Sequence, residues 1–258
     1  MRNGRFPWRA LLLKVRAMNA HHLHPSASHP DTTRPLARSL PSEHAQRASI
    51  RVLVIPGLRN SGEAHWQTWL QRQYAGAVRV NQHNWHEADL SAWAARIDQV
   101  VARASRNTQW IAVAHSFGSL ALAQHLARRS QLEPQVASVA DAAGVGPRHS
   151  RIVAALMVAP ADPVKFGLNE SLPQHSLGLP LSVIGSENDP WMPLERAREW
   201  AHRWGGGFVN LGAVGHINTE SGFGPWPLSR QKVDHLIRQQ LRLNPSLCSQ
   251  ACGADLVS

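Results

Sequence analysis

Short runs of apolar, β-branched residues recur along this chain, and most intervals between them carry apolar residues at helical spacing. Ile50-Arg51-Val52-Leu53-Val54-Ile55 stops at Pro56-Gly57, and reads as a buried strand followed by a loop. Residues 77–80, 110–114, 152–158, 181–184 and 208–211 read as further strands. Helical patterns fill 63–74, 89–104, 121–127, 193–204 and 228–242; in the second of these Leu90, Trp93, Ala94, Ile97, Val100 and Val101 share one face. Strands alternating with helices predict an α/β fold, a mostly parallel sheet with helices on both faces. The domain is expected over residues 50–243, with 130–149 as a surface insertion and 244–258 as a flexible tail.

The net charge of +10 over 258 residues suggests a polyanionic partner until it is divided along the chain. Residues 1–49 carry eight basic and two acidic side chains, so +6 belongs to that segment and only +4 to the rest. The segment has several prolines, the run His21-His22-Leu23-His24 and no sustained period, and is expected to be a disordered basic extension. Leu11-Leu12-Leu13 is cut off by Lys14 and Arg16, too short for a secretory h-region. Two cysteines exclude a disulfide framework, and no run is long enough for a membrane-spanning helix. The expectation is a cytoplasmic protein whose folded domain binds neither nucleic acid nor membrane.

In open parallel sheets, ligands gather at the carboxyl ends of the strands. After the strand at 110–114 comes His115-Ser116-Phe117-Gly118-Ser119, a G-x-S-x-G nucleophile elbow with Ala114 in the first position. Small flanking residues let strand and helix pack closely while the hydroxyl sits at a helix start. By itself the pentapeptide is equally an ordinary helix N-cap. A serine nucleophile needs a base and an acid after later strands. Gly215-His216-Ile217 follows the last strand, and an imidazole titrating near neutral pH suits proton abstraction. Asp189 follows the strand at 181–184, with Asp162 and Glu187 as rivals for the acid. The order Ser116, Asp189, His216 is that of α/β-hydrolases.

Five stretches occur in order: Val54-Ile55-Pro56-Gly57 with Asn60-Ser61-Gly62 and His65-Trp66; Ala114-His115-Ser116-Phe117-Gly118-Ser119; Val158-Ala159-Pro160-Ala161-Asp162; Ser186-Glu187-Asn188-Asp189-Pro190-Trp191; and Gly215-His216-Ile217-Asn218-Thr219-Glu220-Ser221-Gly222. With Trp226-Pro227 they resemble the small serine hydrolases typified by retinoblastoma-binding protein 9 and its bacterial relatives, over residues 50–242. The resemblance implies a compact α/β-hydrolase with little or no lid. It also implies Ser116 as nucleophile, Asp189 as acid, His216 as base, and small ester-type substrates, with peptidase activity in some members.

Attack by Ser116 needs an oxyanion hole. Phe117 N–H and a donor from the loop after the first strand are expected there, Leu58 first and Arg59 second. Trp85, Phe117, Trp191 and Asn218 are candidates for the substrate pocket. No cofactor is expected: the histidines lack metal-ligand spacing, and no G-x-G-x-x-G or Walker motif follows the first strand. Two other classes compete with a hydrolase of small acyl substrates. One is an idle α/β-hydrolase fold serving as a binding module, against which stands the presence of all three triad residue types. The other is a nucleic-acid-binding protein, which rests only on the basic extension. A Leu-x-Cys-x-Glu motif for pocket proteins is absent, and Cys248 and Cys252 lie in the tail. Oligomeric state leaves no signature.

Overall fold

The computed structural model describes residues 49–141 and 150–244. The expectations for the basic extension, for most of the tail and for 142–149 lie outside the described residues. Six strands form one sheet: β1 (Ser49–Ile55), β2 (Val78–Arg79), β3 (Thr108–Ser116), β4 (Arg151–Pro160), β5 (Leu181–Gly185) and β6 (Gly207–Asn210). Their order is β2-β1-β3-β4-β5-β6, and every neighbouring pair is parallel. The helices are α1 (Trp66–Arg72), α2 (Leu90–Arg103), α3 (Phe117–Asp141), α4 (Leu194–Arg203) and α5 (Pro227–Leu243).

The strands are apolar throughout because both faces are covered, and their side chains alternate between two cores. Leu53, Ile55, Trp110, Ala112, Ala114, Ala155, Met157 and Val183 face one layer, with α2, α3 and α4. Val52, Val54, Ile111, Val113, Leu156, Val158 and Ile184 face the other, where Trp66 and Leu70 of α1 meet Val233 and Leu236 of α5. This is the parallel sheet with helices on both faces that the strand–helix alternation predicts, and it agrees with the compact α/β-hydrolase fold that the family resemblance implies. No helix among the described residues is long and apolar enough to cross a membrane.

One boundary differs. α3 does not stop near residue 127 but continues through Asp141, so the first part of the supposed insertion at 130–149 is helix. Ala, Leu, Gln and Glu between 131 and 141 carry good intrinsic propensity even where apolar period is lost and Pro134 interrupts.

β1 leads outward to β2 on one side, and the chain then returns to place β3 on the other side of β1. Loops leaving the carboxyl ends of β1 and β3 therefore diverge, and open a crevice between them.

Candidate active site

Ser116 ends β3 with φ +53°, a left-handed conformation that costs a residue with a side chain about 1–3 kcal/mol. Two glycines make it sterically feasible. A Cβ on Gly118 would lie 2.4 Å from the Pro56 carbonyl oxygen and 2.7 Å from that of Ile55. A Cβ on Gly57 would lie 2.7 Å from the Ser116 Cβ. The β1 loop and the β3–α3 turn thus touch backbone to backbone. Ala114, in the place of the first elbow glycine, is wholly buried and its methyl fits the core. Phe117 opens α3, so its N–H lies in the helix's first turn, where donors point outward and the dipole is positive.

His216 follows β6, and its Nε2 lies 2.9 Å from Ser116 Oγ. Its Nδ1 lies 2.9 Å from both carboxylate oxygens of Asp189, whose side chain is almost wholly buried. An Nδ1–H donated to the carboxylate leaves Nε2 as the acceptor for the serine proton. The two rivals for the acid are engaged elsewhere. Asp162 pairs with Arg196 and caps the turn Pro163–Phe166 by accepting from Val164 N–H. Glu187 accepts from the Asn210 side-chain amide at 2.8 Å.

The base is held from several directions. His115 Nε2–H donates to the His216 carbonyl (3.0 Å), and Trp66 Nε1–H to the carbonyl of Ile217 (2.8 Å). Ile217 itself is wholly buried at φ +48°, rare for a β-branched residue. From the β5 loop, Asn188 Oδ1 accepts from Gly215 N–H and Ser186 Oγ from Val214 N–H. The side chains around Asp189 thus lock the loop that carries its partner.

Burial drives the His115 pKa well below its ordinary value, with His216 and His65 adding to the shift. Burial likewise lowers His65 to about 4, with Arg79 and His216 contributing. His65, His115 and His216 lie ring against ring, with centroids 5.0 Å and 4.9 Å apart. Keeping the first two neutral avoids placing two extra positive charges beside the third.

A cleft of about 410 Å³ opens above Ser116, and Leu58, Arg59, His65, Phe166, Trp191, His216 and Asn218 are among its lining residues. Trp191 is 47% exposed, and its ring lies 6.3 Å from that of His216. Two pocket expectations fail. Trp85 is not on the lining: it packs edge-to-face on Trp93, which packs on Phe117, which packs on Phe166. The Phe117 ring belongs to that stack and is wholly buried. Aromatic edge-to-face packing holds Phe117 in the core and Trp85, half-buried, against it. Trp85 acts on the site through its backbone instead, since its carbonyl accepts from Arg59 N–H at 2.8 Å. With that N–H engaged, Leu58 is left as the loop's candidate oxyanion donor.

Gln67, His65 and His115 escaped the sequence reading. Gln67 is wholly buried, and its Nε2 donates to the carbonyls of Ile55 and Val113 while its Oε1 accepts from Ser61 Oγ. It bridges β1 and β3 at the crevice. His65-Trp66 stands among the ordered motifs, but the strand carbonyls that Gln67 reaches are not local to it. Among the described residues no group of three or more His, Cys, Asp or Glu side chains is arranged to hold a metal ion.

A protein-family model described as "Serine hydrolase" matches residues 52–235. Among solved structures, a putative ydeN-like hydrolase from Pectobacterium atrosepticum is 30% identical, covering 73% of this chain and 90% of its own, with a TM-score of 0.61. The ydeN gene product of Bacillus subtilis is 20% identical, covering 74% and 100%, with a TM-score of 0.55. Est1E from Butyrivibrio proteoclasticus shares the fold at 12% identity, 76% and 89% coverage and a TM-score of 0.50. No individually curated protein matches this chain in sequence.

Proposed function

Because this chain belongs to the serine hydrolase family, we propose that it hydrolyses small carboxylic esters through an acyl-enzyme on Ser116. The observation that carries the reading is the continuous line from Ser116 Oγ to His216 Nε2 (2.9 Å) and from His216 Nδ1 to both Asp189 oxygens (2.9 Å). His216 removes the serine proton as Oγ attacks the acyl carbonyl, then returns it to the departing alkoxide. Water activated by the same imidazole releases the acid. Asp189 holds the ring in the productive tautomer and stabilises the imidazolium. Phe117 N–H and Leu58 N–H receive the oxyanion, each such donor lowering the barrier by about 3–4 kcal/mol.

Amide and peptide bonds come within reach of the same groups, since the imidazolium can protonate an amine leaving group. Within the family we place the chain beside the hydrolases typified by retinoblastoma-binding protein 9, on the ordered motifs from Val54 to Trp226. Its partner is a small acyl substrate, free of cofactor, and its compartment the cytoplasm.

The test is labelling with a fluorophosphonate, which reacts only with an activated serine. Wild type labels, and Ser116→Ala and His216→Ala do not; p-nitrophenyl esters and aminoacyl substrates then define scope. A folded wild type that fails to label removes the mechanism, and labelling of Ser116→Ala moves the nucleophile elsewhere.

A further inference from the structure

The loop after β1 contains two consecutive left-handed residues that are not glycine, Arg59 (φ +65°) and Asn60 (φ +63°). That conformation costs about 1–2 kcal/mol for each such residue, so something must hold it. Arg59 N–H donates to the Trp85 carbonyl (2.8 Å) and Asn60 N–H to the Gly57 carbonyl (3.1 Å). Asn60 Oδ1 accepts from Ser61 N–H (2.7 Å) and from Arg79 (3.0 Å). Arg79 is fixed in turn by the Ser61 carbonyl, Thr68 Oγ1 and Gln71 Oε1. The backbone of Arg59 is therefore a built feature. Its guanidinium makes no hydrogen bond or ion pair among the described residues, and it lies exposed on the lining of the cleft that holds Ser116. A free cation on a strained, multiply pinned loop points to a ligand.

Two further residues of the same lining carry side-chain donors. Asn218 Oδ1 already accepts from Ser221 N–H and Ser221 Oγ, each at 3.0 Å, which leaves its amide nitrogen for a ligand. His65 Nδ1 accepts from Gln67 N–H at 3.1 Å, so the neutral ring carries its proton on Nε2. Burial keeps that ring neutral near physiological pH. Glu220, the acidic side chain on the lining, arrives on the turn after His216 rather than on the loop of Arg59. It disfavours a second negative charge.

We propose that the cleft takes monoanionic acyl substrates, with a carboxylate seated on the Arg59 guanidinium and assisted by His65 Nε2–H and Asn218 Nδ2–H. The position of the scissile bond rests on the reading of Ser116 as nucleophile; the anion seat does not.

Monomethyl adipate and methyl hexanoate share a six-carbon acyl chain and differ in a terminal carboxylate. Their hydrolysis by the full-length protein near neutral pH, followed by pH-stat titration, gives a ratio of kcat/KM values that favours the anionic ester. Arg59→Gly suits φ +65° and is expected to keep its melting temperature. The ratio in this variant falls about tenfold, the scale of one charge-assisted hydrogen bond. Arg59→Lys retains part of the preference, and Glu220→Gln raises it. An unchanged ratio in Arg59→Gly, or a wild type that prefers methyl hexanoate, overturns the proposal. Should wild type cleave neither ester, calorimetric titration of monomethyl adipate into Ser116→Ala decides. Binding weakened about tenfold by adding Arg59→Gly upholds the anion seat while the nucleophile reading fails, and absence of binding overturns the seat as well.

Discussion

Ser116 keeps its strained backbone because Gly57 and Gly118 leave its neighbours' backbones room to close in. Gly118→Ala would push a methyl to within 2.4 Å of the Pro56 carbonyl oxygen, a backbone atom that cannot swing aside. The expected outcome is loss of fluorophosphonate labelling together with a lowered melting temperature. Asp189→Asn is a different kind of change: the side chain keeps its shape but now offers a donor toward Nδ1. The imidazole then favours the wrong tautomer, and kcat should fall by about 10⁴ with the circular dichroism spectrum intact. The approach of Ser116, Asp189 and His216 to one another was legible in the sequence, because each stands at or beyond the carboxyl end of a strand. The orientation of Trp85 was not legible. A loop tryptophan carries no period that says which way its ring turns, and here Trp93 captures it.

At the scale of elements, α1 is short, but it ties the site to the sheet. His65 caps its start, Trp66 holds the Ile217 carbonyl, and Gln67 clasps β1 to β3. Gln67→Leu would strand two buried carbonyls and Ser61 Oγ. A loss of about 1–3 kcal/mol in unfolding free energy is expected from urea denaturation. A drop in kcat should accompany it, since the loop bearing Leu58 loses its tether. The buried histidines set an acid limit. Both are neutral when folded, whereas in the unfolded chain they take up protons near pH 6.5. Their contribution is complete above about pH 6.5 and declines as pH falls below it, toward about 4 for His65; His115, which burial holds well below its ordinary value, adds to the decline in the same direction. Urea midpoints measured across this range should slope accordingly, and His65→Asn, which preserves the cap, should flatten the His65 part. None of this was readable beforehand, because Gln67 bonds to carbonyls of two strands and the His65 ring packs on His115, all far off in sequence. Most strand and helix positions were, since doubly covered strands read as apolar runs and helices as a period of their buried face.

For the whole molecule, the charge is divided unevenly between the first 49 residues and the rest. Deleting residues 1–48, which ends the deletion just before β1, should leave ester hydrolysis unchanged while abolishing retention on heparin. Retention by the shortened protein would mean that the folded domain carries its own polyanion surface.

Ser116, Asp189 and His216 hang from β3, β5 and β6, and β4 separates the first from the other two. The smallest fragment of the sheet that carries all three spans four strands, from β3 to β6. Their 2.9 Å spacings are inherited from the register of three successive ladders, so slippage in any one disperses the three side chains. The proposed catalysis is thereby a collective property of the assembled sheet, and enzymatic turnover should disappear in the same cooperative transition that melts the strands.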